Sequence, residues 1–221
     1  MNPSNWRTYL VTQASLSGDR TTPELVRAAI DGGIDAVQLR EKDTSARLRH
    51  DLGRELREMT AEAGVDLLVN DRLDIAQAID ADGVHVGQSD LPVDVARDLL
   101  GPDATVGCST STVADARAAE AAGADYLGVG AVYGTDSKDV DDGNDGVGPE
   151  RIAAIADAVS IPIVGIGGIT ADNAGAVVEA GAAGVAVISE ITAAPQPRVA
   201  TEALADVVET TKSVATGEHG R

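Results

Sequence analysis

Eight short runs rich in β-branched residues alternate strictly with eight helical stretches, and this alternation sharply limits what the chain can fold into. The strand-like runs are 8–12, 35–40, 66–70, 83–87, 105–109, 125–132, 162–167 and 184–189. The helical stretches are 22–32, 44–63, 72–80, 92–100, 112–122, 149–159, 170–180 and 197–213. Within 44–63, Leu48, Leu52, Leu56 and Met59 are spaced for one apolar face. Pro23, Pro92 and Pro149 fall where a first helical turn tolerates proline. A weak repeat runs through the chain: AAIDGGIDAVQL, AQAIDADGVHV, AEAAGADYLGV and VVEAGAAGVAV. Each copy is an alanine-rich helix end, a turn with Gly or Asp, and a strand, which is the helix-to-strand half of a βα unit. Eight such units in 221 residues predict an α/β fold, a single (β/α)8 TIM barrel spanning 1–221. The alternative is an open doubly wound sheet. The count of eight and the lack of GxGxxG after the first strand favour closure.

At 43% hydrophobic, the chain can bury a sizeable core. It has no Phe, one Trp and three Tyr, so Val, Ile, Leu and Ala are expected to fill that core. Asp and Glu number 36 against 17 Lys and Arg, a net charge of −19. Such a surface repels nucleic acid and anionic membranes. Acid excess, scarce lysine and small core residues resemble proteins of salt-loving organisms, where concentrated ions screen self-repulsion. The N-terminal segment has no basic stretch followed by a long apolar run, and no stretch of about 18 apolar residues exists, so a cytoplasmic protein is expected. One cysteine permits no internal disulfide. Small-molecule partners fit this composition, and a homo-oligomer is compatible with it.

A barrel of this kind works at the C-terminal ends of its strands. Those ends read QLREK (38–42), NDR (70–72), GQSD (87–90), CSTS (108–111), YGTDSK (133–138), GIGGI (165–169) and ISE (188–190). Lys42 and Lys138 are two of only three lysines, and both fall here with Arg40. Gly165-Ile166-Gly167-Gly168 and Ile188-Ser189 occupy the usual phosphate position of the fold, although glycines there also serve as plain tight turns. Asp71 and Asp90 end neighbouring strands 3 and 4, an arrangement suited to Mg²⁺ shared with substrate phosphates. Alternatively Asn70-Asp71-Arg72 reads as the cap of helix 3 and Asp90 as the cap of helix 4. His85 lies mid-strand and is expected to pack or hydrogen-bond rather than act as a base. Cys108 reads as a small buried residue ahead of a nucleophile. The segment 136–146 carries five Asp and reads as a solvated loop, with Lys138 pointing to an active-site lid.

Taken in order, YLVT, QLREK, NDR with DIA, DGVHVGQSDLP, GADYLGVGAVYGT, IGGI and GVAVIS resemble the thiamine phosphate synthase family from Tyr9 to Ile191. QLREK, NDR and HVGQ-x-D carry the specificity of that match. The resemblance implies that hydroxymethylpyrimidine diphosphate loses pyrophosphate and is captured by the nitrogen of thiazole phosphate, giving thiamine phosphate with Mg²⁺ as cofactor. It implies that Gln38, Arg40, Lys42 and Asn70 hold the pyrimidine diphosphate and that Asp71 and Asp90 bind the metal. Ser109 and Lys138 would contact the pyrophosphate, so Arg40, Lys42, Ser109 and Lys138 form the catalytic set. Thr135, Ser137, Gly168, Ile188 and Ser189 would hold the thiazole phosphate. Cations meeting charge on a leaving group, beside a pyrimidine ring able to spread positive charge, explain why no His or Glu base stands out. Two departures are visible: Thr135-Asp136-Ser137-Lys138 replaces the family's Thr-Lys-Thr-Lys, and Gln13 stands where Asp is frequent. A paralogue that isomerises the thiazole phosphate would not need the diphosphate grip, and a non-catalytic phosphate sensor would be expected to lose one of these positions.

Overall fold

The computed structural model describes residues 2–42, 44–134 and 146–218. Eight parallel strands close in sequence order: β1 (Thr8–Val11), β2 (Ala36–Leu39), β3 (Asp66–Asn70), β4 (Gly83–Val86), β5 (Thr105–Thr110), β6 (Tyr126–Val129), β7 (Ile163–Ile166) and β8 (Gly184–Val187). β8 returns to β1, with Leu10 opposite Val187. The connecting helices are α1 (Thr22–Asp31), α2 (Ala46–Ala63), α3 (Leu73–Ala78), α4 (Val93–Leu100), α5 (Val113–Ala121), α6 (Pro149–Ala156), α7 (Ala174–Glu179), α8 (Ser189–Thr192) and α9 (Pro197–Glu218). The (β/α)8 barrel read from the alternation is therefore present. The sequence reading carried strand 8 to 189. Instead β8 stops at Val187, and Ser189 opens the short extra helix α8.

Local chemistry accounts for the boundaries. Thr21 and Glu24 form a reciprocal capping box at the start of α1. Ser45 and Thr112 cap α2 and α5 by accepting from the N–H groups of Leu48 and Asp115. The repeat noticed in the sequence is a left-handed turn at the helix exit: Gly33, Gly123 and Gly181 have positive φ, and Asp80 takes the same conformation at φ 54°. In three of these units an Asp follows, and its carboxylate ties the new strand to its predecessor. Asp35 accepts from Thr8 N, Asp82 from Leu67 N and Asp125 from Val106 N. Arg7, Arg57 and Arg97 pair with those same carboxylates. The bottom rim is thus a belt of local ties, and it leaves the upper rim to chemistry.

Two cores result. The shell between strands and helices is aliphatic, as composition requires. The barrel interior is mixed: Val11, Ala36, Leu68, Val164, Ala186 and Ile188 surround Trp6, Tyr9 and Tyr126, whose ring centroids lie 5.0 to 5.3 Å apart for the two Trp6 pairs. The few aromatics of the chain are thus concentrated in an otherwise aliphatic interior. The face of α2 also differs from its leucine spacing. Leu48 is 62% exposed, and the buried side is Arg49, Gly53, Leu56, Met59 and Thr60. The cause is close approach. A Cβ on Gly53 would lie 2.8 Å from Ile79 Cδ1, so the helix sits down on Gly53 and rotates Arg49 inward. Among the described residues, no helix is long and apolar enough to cross a membrane.

Candidate active site

The mouth is built where each strand runs out of apolar residues. Gln38 ends the inward-facing line of β2 and is 2% exposed, while Arg40 and Lys42 follow in the loop. Arg40 is held from both sides: its N–H donates to Thr12 Oγ1 at 3.0 Å, and its Nη1 donates to Gln13 Oε1 at 3.1 Å. That gives Gln13 a role, namely orienting the guanidinium. Glu41 turns away from the mouth, accepting from Ala14 N at 3.0 Å and from Thr22 Oγ1 at 3.1 Å. Beneath this loop lies a residue that sequence reading missed. Arg49 of α2 is buried, and its guanidinium donates to the carbonyls of Glu41, Lys42 and Thr44. The missed signal was an Arg within an otherwise apolar helix face, four residues after the Ser45 cap.

Asp71 follows β3 in the left-handed conformation, φ 62°, which is uncommon for a residue with a Cβ. Its carboxyl is within hydrogen-bonding reach of Asp90. Burial, then the hydrogen bond and the charge of Asp90, lift it from 3.8 to about 6, against the pull of Lys42 and Asn70. Lys42 Nζ stands 4.0 Å from Asp71 Oδ2. The cap of α3 falls within Asn70-Asp71-Arg72, as the sequence allows, but it makes no side-chain capping bond, and Asp90 does not cap α4. Arg72 is the N-cap of α3 and Pro92 that of α4, and neither uses an Asp side chain. Asp90 instead accepts from Gly87 N at 2.7 Å. Two carboxylates therefore converge beside a lysine. Among the described residues no group of three or more His, Cys, Asp or Glu side chains gathers for a metal. A donor pair of this kind suits a hard cation that keeps water and phosphate oxygens in its remaining positions.

On the opposite rim, Gly167 and Gly168 follow β7 with φ of 103° and 62°. A Cβ on Gly168 would meet Gly134 O at 2.6 Å, so this backbone lies flat against the β6 loop. Asn173, another residue missed from sequence, fastens the turn: Nδ2 donates to Gly168 O at 3.0 Å, and Oδ1 accepts from Thr170 N at 2.8 Å. Ile188 and Ser189 stand at the next strand end, where α8 begins. Ser109, on β5, bonds His85 through its Oγ at 2.8 Å. His85 is buried and hydrogen-bonded, as expected. Burial pushes the Cys108 thiol up to about 11, which removes it as a nucleophile at neutral pH. Thr135, Ser137 and Lys138, with the Asp-rich stretch 136–145, lie outside the described residues.

Fold and mouth together define a (β/α)8 enzyme with Arg40, Lys42, Asp71 and Asp90 brought to the C-terminal strand ends. Comparison with known proteins narrows this. The family model described as thiamine monophosphate synthase matches residues 8–191. A thiamine-phosphate synthase of Haloarcula marismortui is 65% identical, covering 93% of this chain and 98% of its own. One from Natronomonas pharaonis is 63% identical over 91% of this chain and 94% of its own. The solved thiamine phosphate pyrophosphorylase of Pyrococcus furiosus superposes with a TM-score of 0.86 at 39% identity, covering 95% of this chain and 99% of that one. The chain belongs to the thiamine monophosphate synthase family.

Proposed function

We propose that this barrel joins hydroxymethylpyrimidine diphosphate to thiazole phosphate, releasing pyrophosphate and thiamine phosphate. The observation that carries the reading is Asp71, 4.0 Å from Lys42 Nζ at the end of β3, with its carboxyl raised by burial and by the neighbouring charge of Asp90 at the end of β4, a concentration of negative charge that calls for a cation. Asp71 and Asp90 would hold Mg²⁺, which when bound neutralises charge on the diphosphate. Gln38 and Asn70 orient the pyrimidine end. Arg40, steadied by Gln13, and Lys42, on the loop braced by Arg49, face the diphosphate and stabilise the charge that collects on it as the carbon–oxygen bond breaks. Ser109 donates a hydrogen bond to the same group, and Lys138 adds a third cation.

The electron-rich aminopyrimidine spreads the positive charge left on its methylene. The thiazole nitrogen then supplies the electron pair of the new bond, and no proton has to leave a carbon. That suits a mouth whose histidine is turned into the barrel. The thiazole phosphate is held by Gly168, Ile188 and Ser189; the family resemblance assigns Thr135 and Ser137, which lie outside the described residues, to the same group. Backbone fastened by Asn173 fits this task because its amides need no reorganisation on binding. The diphosphate grip at Arg40, Lys42, Asp71 and Asp90 argues against an isomerase of the thiazole phosphate alone. Pyrophosphate release, measured with each substrate omitted in turn, tests the reading. Full turnover requires both substrates, and undiminished release without the thiazole phosphate would defeat it.

A further inference from the structure

Below the mouth, a line of hydrogen bonds crosses the barrel. Gln38 Nε2 donates to Tyr9 Oη at 2.8 Å. The Tyr9 and Tyr126 hydroxyls are 3.1 Å apart. Tyr126 Oη lies 2.8 Å from His85 Nδ1, and His85 Nε2 lies 2.8 Å from Ser109 Oγ. The line visits β2, β1, β6, β4 and β5 in turn. Room has been made for it. A Cβ on Gly107 would lie 2.2 Å from the Tyr126 ring, and one on Gly128 would lie 2.9 Å from the His85 ring.

The donors and acceptors fix a direction. Burial pushes both tyrosine hydroxyls well up, so each keeps its one proton. With the Gln38 amide giving to Tyr9, Tyr9 gives to Tyr126, and Tyr126 gives to His85 Nδ1. An imidazole that accepts at Nδ1 donates at Nε2, so Ser109 Oγ accepts. The Ser109 proton is then directed to the mouth. Gln38 Oε1 is buried and has no hydrogen-bond partner among the described residues, which leaves an acceptor at the other end. Turning the Gln38 amide over reverses every bond, and Ser109 then gives its proton to His85 instead of to a ligand.

We propose that Tyr9, Tyr126 and His85 are positioning residues that couple Gln38 to Ser109, so that the site reads both ends of one ligand at once. The inference rests on the assignment of Gln38 and Ser109 to the pyrimidine diphosphate. A ligand with a hydrogen-bond donor on its ring and an anion at its far end satisfies a single direction of the relay. An amino-heterocycle diphosphate is of this class. A ring bearing an oxo group at the same place requires the reversed direction, which withdraws the Ser109 proton from the anion. Discrimination between the two therefore exceeds that of one contact.

A double-mutant cycle on kcat/KM for the pyrimidine diphosphate tests this. The wild-type protein comes first: without pyrophosphate release there, the assignment itself falls, and the relay with it. Ser109→Ala is expected to lower kcat/KM roughly 10- to 100-fold, as loss of a hydrogen bond to an anion does. Tyr126→Phe keeps the ring and is expected to cost about 5- to 10-fold. In Tyr126→Phe the imidazole can carry its proton on Nδ1 and accept from Ser109, so the double variant should match Ser109→Ala alone. Losses that multiply would refute the coupling. Tyr9→Phe, one link further along, carries the same cycle should Tyr126→Phe fail to fold. Inhibition by the oxo analogue gives a second reading. The wild type should prefer the amino ring by at least about 100-fold, and Tyr126→Phe should reduce that preference to about 10-fold. An unchanged preference would overturn the proposal.

Discussion

Replacing Asp71 by Asn should stabilise the protein while removing its activity. Burial and Asp90 lift the Asp71 carboxyl from 3.8 to about 6, so the folded state holds this group neutral more readily than the unfolded chain does. A displacement of that size corresponds to about 3 kcal/mol. The side chain is 28% exposed and faces Lys42, and solvent screening there reduces the figure to about 1–2 kcal/mol. Asn removes the repulsion, and it also tolerates the left-handed backbone at φ 62°. In a chain of this length the thermal midpoint should rise by roughly 2 to 8 °C at pH 7.5. The sign with pH follows from linkage. Because the folded value is raised, wild-type stability is fully present below the ordinary carboxylate value and is lost as pH rises through about 6. The gap between variant and wild type should therefore be widest above pH 7 and narrow toward pH 5. Mg²⁺ should raise the wild-type midpoint and leave the variant unmoved. Scanning calorimetry at pH 5, 6 and 7.5 reads all of this. A variant less stable than wild type at pH 7.5, or a gap that does not change with pH, would refute the repulsion argument.

Arg49→Leu should raise KM for the pyrimidine diphosphate several-fold with little change for thiazole phosphate, because three loop carbonyls lose their donor while the other rim is untouched; steady-state kinetics decides. Gly168→Val is expected to lower the thermal midpoint sharply, since its Cβ would meet Gly134 O at 2.6 Å, so Ser189→Ala is the cleaner probe and should mainly raise KM for thiazole phosphate. With a net charge of −19, the midpoint should climb from low to molar KCl, and a flat response would show that self-repulsion is unimportant.

The barrel and its strand ends were legible because period and turn chemistry are local. The repeated helix-exit turn showed itself as Gly or Asp, and those positions carry the left-handed residues, Gly33, Asp80, Gly123 and Gly181. The convergence of Asp71 and Asp90 followed once strands 3 and 4 were neighbours. What stayed hidden depends on contacts between distant segments. The inward turn of Arg49 is set by the close approach at Gly53, against Ile79 and Leu39, and no spacing rule within α2 contains that information. Leu48 looked like core for the same reason. The aromatic plug of Trp6, Tyr9 and Tyr126 comes from three positions spread over 121 residues, and each looks ordinary in its own strand or loop. The grip of Gln13 on Arg40 and of Asn173 on Gly168 likewise appears only when the loops are placed together.

Anomalous diffraction from crystals soaked with Mn²⁺ and pyrophosphate is the most direct test of the central claim, that the mouth is built to hold a diphosphate with a divalent cation. The account predicts one strong metal peak ligated by Asp71 and Asp90, with pyrophosphate oxygens completing its shell and Arg40 and Lys42 facing the same group. A metal peak away from both carboxylates, or pyrophosphate seated on the Gly168 and Ser189 rim instead, would contradict it.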